Sequence, residues 1–231
     1  MIPCSIVRSK RRRKTISIRV SAESGVRVAV PMATSEAFIR DLVAKRSSWI
    51  LKRLAAEASA VAPARRFVSG ETLPYLGEEH PLLVETSTSR RVAFEFIGDA
   101  FRLFVPPFLE GEARETVLRR AVLKWYREQS ESAVTRSATL WSAEMHLSPK
   151  AVLVRDQRRR WGSCGPDGTL RFNWRLVLAP PAILDFVVVH ELAHLAQRNH
   201  SPAFWGVVEK YLPDHKSRRK WLRENGTRLN V

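Results

Sequence analysis

The segment His190-Glu191-Leu192-Ala193-His194 carries two imidazoles four residues apart, with a carboxylate one residue past the first. On a helix, positions i and i+4 lie one above the other on the same face, so both rings can reach a single metal ion. The glutamate then points toward the open side of that ion, where a water would sit. A third histidine, His200, follows six residues after His194, in a chain with six histidines among 231 residues. What precedes the segment supports a helix. Pro180-Pro181 suits a first helical turn, and Ile183, Leu184, Phe186, Val187, Val188 and Val189 form an apolar run that must be buried. A buried helix fixes whatever metal geometry it carries.

Three histidines and one water make the open tetrahedral arrangement of catalytic zinc, so His190, His194 and His200 are the expected ligands and Glu191 the expected base. The helix should end near Asn199, a residue that tolerates the left-handed conformation and would swing His200 back toward the metal. Ser201-Pro202 reads as the N-cap and first position of another helix carrying Phe204, Trp205, Val207, Val208 and Tyr211. Two alternatives compete. Glu209, on that following helix, is a rival third ligand, and Cys164 could close a purely structural site, against which Glu191 argues because a closed site holds no water to activate. The spacing to His200 is that of the metzincins. Gln197 stands where those enzymes have glycine, and all three methionines (Met1, Met32, Met145) precede the motif, so a downstream Met-turn is excluded.

Upstream, residues 15–31 alternate as Ile16, Ile18, Val20 and Val26, Val28, Val30 around Glu23-Ser24-Gly25, which predicts a hairpin. One helix is expected from Thr34-Ser35-Glu36 to about Ala58, then a connector over Ala60 to Arg66. Leu73 to Val84 and Arg91 to Val105 read as strands turned at Gly77 and at Gly98-Asp99, and Pro106-Pro107 ends the β-rich part. A long helix follows over Glu112 to Ala143, stopped at His146 to Pro149. Ala151 to Arg155 and Thr169 to Leu178 read as two strands joined through Trp161-Gly162-Ser163-Cys164 and the turn Gly165-Pro166-Asp167-Gly168. The expected fold is α+β: an N-terminal β-rich domain with one helix over 1–107, then a zincin-like domain over 108–231.

Composition narrows the setting. With 45% hydrophobic residues the chain can bury a substantial core. No apolar run nears the roughly 20 residues that span a bilayer, and none of the roughly 7–15 that a secretory leader needs follows the N-terminal charges. Two cysteines, Cys4 and Cys164, make no disulfide framework, so a reduced cytoplasm is expected. The net charge of +16 gathers at residues 8–14, at Arg155, Arg158, Arg159 and Arg160, and at Lys216, Arg218, Arg219 and Lys220. That surplus suits nucleic acid as a partner, or a solvated cationic surface.

Four blocks together resemble the YgjP-like zinc metallopeptidases, relatives of the SprT-like and WLM metallopeptidases. They are Arg160-Trp161-Gly162-Ser163-Cys164, Asn173-Trp174-Arg175-Leu176, Val188-Val189-His190-Glu191-Leu192-Ala193-His194-Leu195 and Asn199-His200-Ser201-Pro202-Ala203-Phe204-Trp205. The likeness continues through Pro213-Asp214 and Trp221-Leu222. It implies His190, His194 and His200 as zinc ligands, Glu191 as catalytic base and a protein or peptide substrate. Some SprT-like relatives act on DNA-bound proteins, an analogy that would suit the charge.

The expected chemistry is amide hydrolysis by a zinc-activated water, with Glu191 moving its proton. Arg160, Arg175, Tyr211 and His215 are all candidates to stabilise the oxyanion. The strand Thr169–Leu178 is expected either to hold an extended substrate at a sheet edge or simply to pack. The rival class is a non-enzymatic nucleic-acid-binding protein with a structural zinc.

Overall fold

The computed structural model describes residues 2–21, 25–60, 65–157 and 159–231, with no side-chain description for 56–60. It is mixed α+β, with strands toward the N-terminus and helices later, as expected. It divides into two compact units, Met1–Ala64 and Arg65–Val231.

In the first unit, β1 (Cys4–Ser9), β2 (Ser17–Ser21) and β3 (Gly25–Pro31) form a sheet in the order β1-β3-β2. The hairpin is β2 against β3, antiparallel, with Ile18 opposite Val28 and Val20 opposite Val26. The residues Glu23 and Ser24 of its turn lie outside the described residues. Strand β1, which pairs with β3 in parallel, was not expected. Cys-Ser-Ile-Val-Arg-Ser alternates weakly, and as an edge strand it keeps no residue fully buried. The single helix expected over 35–58 is two, α1 (Glu36–Lys45) and α2 (Ser47–Ala60). Arg46 leaves helical geometry at φ −101, ψ 6, just before Ser47-Ser48, whose hydroxyls favour helix starts over helix interiors. Val26, Val28, Val30, Ile39, Val43 and Ile50 make the core of this unit.

The second unit begins with β4 (Thr72–Tyr75), β5 (Glu78–Thr86), β6 (Ala93–Ile97) and β7 (Ala100–Val105), ordered β4-β5-β7-β6. Helix α3 (Gly111–Met145) buries a stripe of Leu118, Val122, Tyr126, Ser130, Val134, Ala138 and Met145, a helical repeat that faces one side. Its first half shares a core with Leu73, Leu82, Phe101 and Leu103 of the sheet. Its second half shares another with Leu170, Phe172, Val188 and Leu192. The sheet over 72–105 thus has its apolar face covered by α3. His146 ends α3 in the left-handed conformation, at φ 51, ψ 42.

Beyond α3, β8 (Ala151–Arg155), β9 (Gly162–Cys164) and β10 (Thr169–Asn173) form a third sheet in the order β8-β10-β9. The strand expected over 169–178 stops at Asn173, whose side chain accepts from Arg175 N and starts a 3-10 turn, Trp174–Leu178. It is the central strand, not an edge. The edge next to it is β9, where the sequence predicts only a connection. Then come α4 (Pro181–Ala196), α5 (Pro202–Tyr211) and α6 (His215–Asn225). The β4–β5 turn anchors the start of α4: Leu76 and Gly77 donate their N–H groups to Val177 O and Leu178 O. Gly77 holds φ +93, and a Cβ there would meet Pro180 Cγ at 2.6 Å. No helix of the described residues is long and apolar enough to cross a membrane.

Tyr126 joins α3 to the first sheet of this unit. It is fully buried, and its hydroxyl donates to Pro74 O at 2.8 Å. Tyr126→Phe leaves that carbonyl without its partner, so equilibrium urea unfolding should show a loss of about 1–3 kcal/mol.

Candidate metal centre

Helix α4 is apolar on nearly every side. Ile183, Leu184, Phe186, Val187, Val188, Val189, Leu192 and Ala193 are all buried, and Glu191 is buried among them at 5% exposure. His190 and His194 stand one turn apart on the same helix, half-buried, with ring centroids 5.0 Å apart. The helix ends at Ala196, earlier than expected, with Gln197 extended at φ −135, ψ 108. Among the described non-glycine residues only Phe67, Leu76 and His146 have positive φ, so Asn199 makes no left-handed turn. Gln197 ends the helix in an extended conformation, and the chain bends over Arg198 and Asn199. Ser201 then caps α5, accepting from Phe204 N, with Pro202 in its first turn, as expected.

The reversal brings the three histidines together. One ligand nitrogen from each of His190, His194 and His200 falls within 4.8 Å of the others, and this is the one such group of metal-ligating side chains among the described residues. The Nε2 atoms of His190 and His200 face each other at 3.0 Å. His194 Nδ1 lies 3.1 Å from Gln197 O. A carbonyl only accepts, so Nδ1 carries the proton and Nε2 keeps a free lone pair. Burial, reinforced by His194, His200 and Arg219, lowers the pKa of His190 to about 3. Burial also lowers that of His194, against the pull of the Gln197 carbonyl. The α4 rings are thus neutral at physiological pH, the form that can ligate. His190 Nδ1 is buried without a hydrogen-bond partner.

Glu191 and Glu209 are both outside the three-histidine group. Glu209 pairs with Lys216 at 3.1 Å and lies 4.0 Å from His215. Burial raises the Glu191 pKa to about 7, opposed by the Cys164 backbone N–H and by Arg160. Its carboxyl rests against β9. A Cβ on Gly162 would meet Glu191 Oε1 at 2.5 Å and Cγ at 2.6 Å, so only glycine lets strand and carboxylate come this close. Asn173, 4% exposed, holds the segment entering β9 by donating to Gln157 O and Arg160 O. Trp161 O accepts from Asn173 N, and Gly165 N donates to Thr169 O. By antiparallel alternation, Gly162 and Cys164 then turn their backbone groups away from β10. Cys164 is half-buried, its thiol pKa raised first by burial, and it is not among the clustered ligand atoms.

The basic and polar candidates separate. Arg175 is held by Asp156 at 2.6 Å and lies over Trp174, which makes it structural. Tyr211 carries Lys210 against its ring, and His215 is buried against Trp205. Arg160 is exposed on the Glu191 side. Three residues that sequence reasoning missed border the site: Gly162, Trp205 and Arg219, whose guanidinium lies 4.8 Å from the Trp205 ring centre. Only the proximity of a distant helix reveals the last. Arg158 of the basic clusters lies outside the described residues.

The raised pKa of Glu191 has a stability consequence. From pH 4.5 to about 7 the folded state keeps a proton that the unfolded state has released, so stability falls as pH rises through that window. The penalty is complete above pH 7, on the order of 3 kcal/mol. Metal-free Glu191→Gln should therefore exceed metal-free wild type in stability at pH 8, and the gap should close near pH 4.5. Chemical denaturation at the two pH values reads this directly.

A protein family described as YgjP-like, metallopeptidase domain, matches residues 14–225. No curated protein matches the chain. Among solved structures it is similar to the metallopeptidase zymogen of Pyrococcus abyssi abylysin, at 20% identity and a TM-score of 0.36, over 39% of this chain and 93% of that one.

Proposed function

The chain belongs to the YgjP-like metallopeptidase family, and on that premise we propose that it hydrolyses protein or peptide amide bonds at a zinc ion held by His190, His194 and His200, with Glu191 as general base. The observation that supports this most is the convergence of three imidazole nitrogens within 4.8 Å beside a buried carboxyl. The donor set fits the ion. Ligands of a tetrahedral zinc sit at about 2.0–2.1 Å from it, which puts them roughly 3.3 Å apart, and three imidazoles leave one position open. The pair at 3.0 Å is close to that spacing. Glu209, tied to Lys216, is not the third ligand in this reading.

When bound, zinc would polarise the scissile carbonyl and make a water acidic. Glu191 takes the proton from that water and delivers it to the leaving amine. A carboxyl with a pKa near 7 serves both steps at neutral pH, since base and acid forms are both populated. Gly162 and the Cys164 N–H fix where the carboxyl points. The outward backbone groups of Gly162, on edge strand β9, can pair with an extended substrate, the role first expected of the 169–178 strand. The basic surplus supports nucleic acid as a further partner: Arg19 faces Arg27 across β2 and β3, a like-charge pair that an anion would relieve.

Two measurements test this. After dialysis, His200→Ala should hold zinc far more weakly than wild type, and Glu209→Ala should hold it nearly as well; the reverse ranking moves the third ligand to the carboxylate. Zinc-loaded Glu191→Gln should keep about one zinc per chain yet lose hydrolysis of an unfolded protein substrate by roughly 10²–10⁴-fold. Undiminished cleavage would remove Glu191 from the mechanism. A wild type that binds zinc and nucleic acid but cleaves nothing would favour a binding protein.

A further inference from the structure

His190 and His194 are placed by a buried helix, but His200 is exposed and sits between α4 and α5, its ring meeting His190 Nε2 at 3.0 Å and the Phe204 and Trp205 rings of α5. We propose that Trp205 is the positioning residue for His200, with Arg219 and His215 keeping the indole in place; this rests on the zinc reading above.

The geometry supplies the argument. The rings of His200 and Trp205 lie 5.9 Å apart at 28°, a stacked arrangement. Trp205 in turn stacks on His215 at 5.3 Å and 18°, and carries the Arg219 guanidinium 4.8 Å from its ring centre. An indole is the strongest cation–π acceptor among side chains, so Arg219 adds a directional hold that a simple apolar contact lacks. Residue 205 lies in the first turn of α5, whose start is fixed by the Ser201 cap. Its neighbour Phe204 is the core residue there, fully buried, whereas Trp205 is half-buried at the rim of the histidine cluster.

His215 makes the arrangement hard to explain as ordinary packing. It is 3% exposed, and neither of its ring nitrogens has a hydrogen-bond partner, Glu209 Oε1 standing off at 4.0 Å from Nε2. An apolar residue would fill that space without the loss of two buried polar contacts. A flat ring, however, gives Trp205 a stacking surface. The indole is thus held from α6, and it transmits that rigidity to the one proposed ligand that α4 does not carry. An imidazole that shares its electrons with a cation becomes electron-poor, which strengthens its stacking on the electron-rich indole.

The test uses the full chain and two readouts: zinc affinity by competition with a chromophoric chelator, and the visible absorption of the cobalt-substituted protein. Trp205→Leu keeps an apolar, helix-favouring side chain but cannot stack. It should weaken zinc binding by about 10–100-fold, the range for residues that orient a ligand, and should alter the cobalt spectrum. Trp205→Phe, which can stack, should stay near wild type in both. A residue that merely packs would lower the melting temperature of the metal-free protein without changing the cobalt spectrum. If Trp205→Leu does not fold, Arg219→Lys keeps the charge and loses the planar contact, and a several-fold weaker affinity is expected. Wild-type affinity and spectrum in Trp205→Leu, or in Arg219→Lys where that variant stands in, would overturn the proposal. Equal losses in the Phe and Leu variants would overturn it too. A wild type that binds no zinc would instead overturn the metal reading on which it rests.

Discussion

Glu191 is 5% exposed on a helix that also buries Val188, Val189, Leu192 and Ala193. Ionised carboxylates are expelled from such surroundings unless they are paired, or else they take up a proton. Among the described residues no Lys or Arg is buried with the carboxyl, and its pKa rises to about 7. Much of the site serves this one group. Glycine at 162 makes room for it, the Cys164 N–H orients it, and Asn173 pins the segment that delivers β9 to it. The same burial keeps His190 neutral. A carboxyl that titrates near neutrality and a neutral imidazole are thus two results of one act of packing.

That packing is built from both ends of α4. At its start, the β4–β5 turn docks on the 3-10 turn through two backbone hydrogen bonds. Along its length, α3 and β10 cover it, with Val134, Ala138, Leu170 and Phe172 in the shared core. At its end, the extended Gln197 closes the helix and accepts from His194, and the chain bends over Arg198 and Asn199. A rigid helix therefore presents two rings, and a short connection backed by α5 and α6 presents the third. The division of labour explains why the aromatic residues gather on the side of His200, where Phe204, Trp205 and His215 lie within ring contact of the cluster or of one another.

The parts legible in the sequence were those with local signals. The period of the apolar run, the i, i+4 histidines, the Ser201-Pro202 cap and the length of α3 all depend on neighbours within a turn or two. The parts that were not legible depend on tertiary contact. Gly162-Ser163-Cys164 has no strand-like side chains, and it is a strand because β10 lies beside it and Glu191 beneath it. Trp205 reads as an apolar helix residue until Arg219, on a different helix, is seen over its ring. The break at Arg46 and the place of the 72–105 sheet with α3 likewise follow from cores that no short window contains. The end of α4 at Ala196, and a bend at Asn199 that needs no left-handed geometry, are also set by packing rather than by residue type.

The central claim is an open, all-nitrogen metal site in which Cys164 has no part. X-ray absorption at the zinc edge of the loaded protein measures this most directly. The account predicts three imidazole nitrogens and one further light atom at about 2.0–2.1 Å, with no sulfur shell. A sulfur scatterer at about 2.3 Å would place Cys164 on the metal, close the site and contradict the assignment of Glu191 as a base.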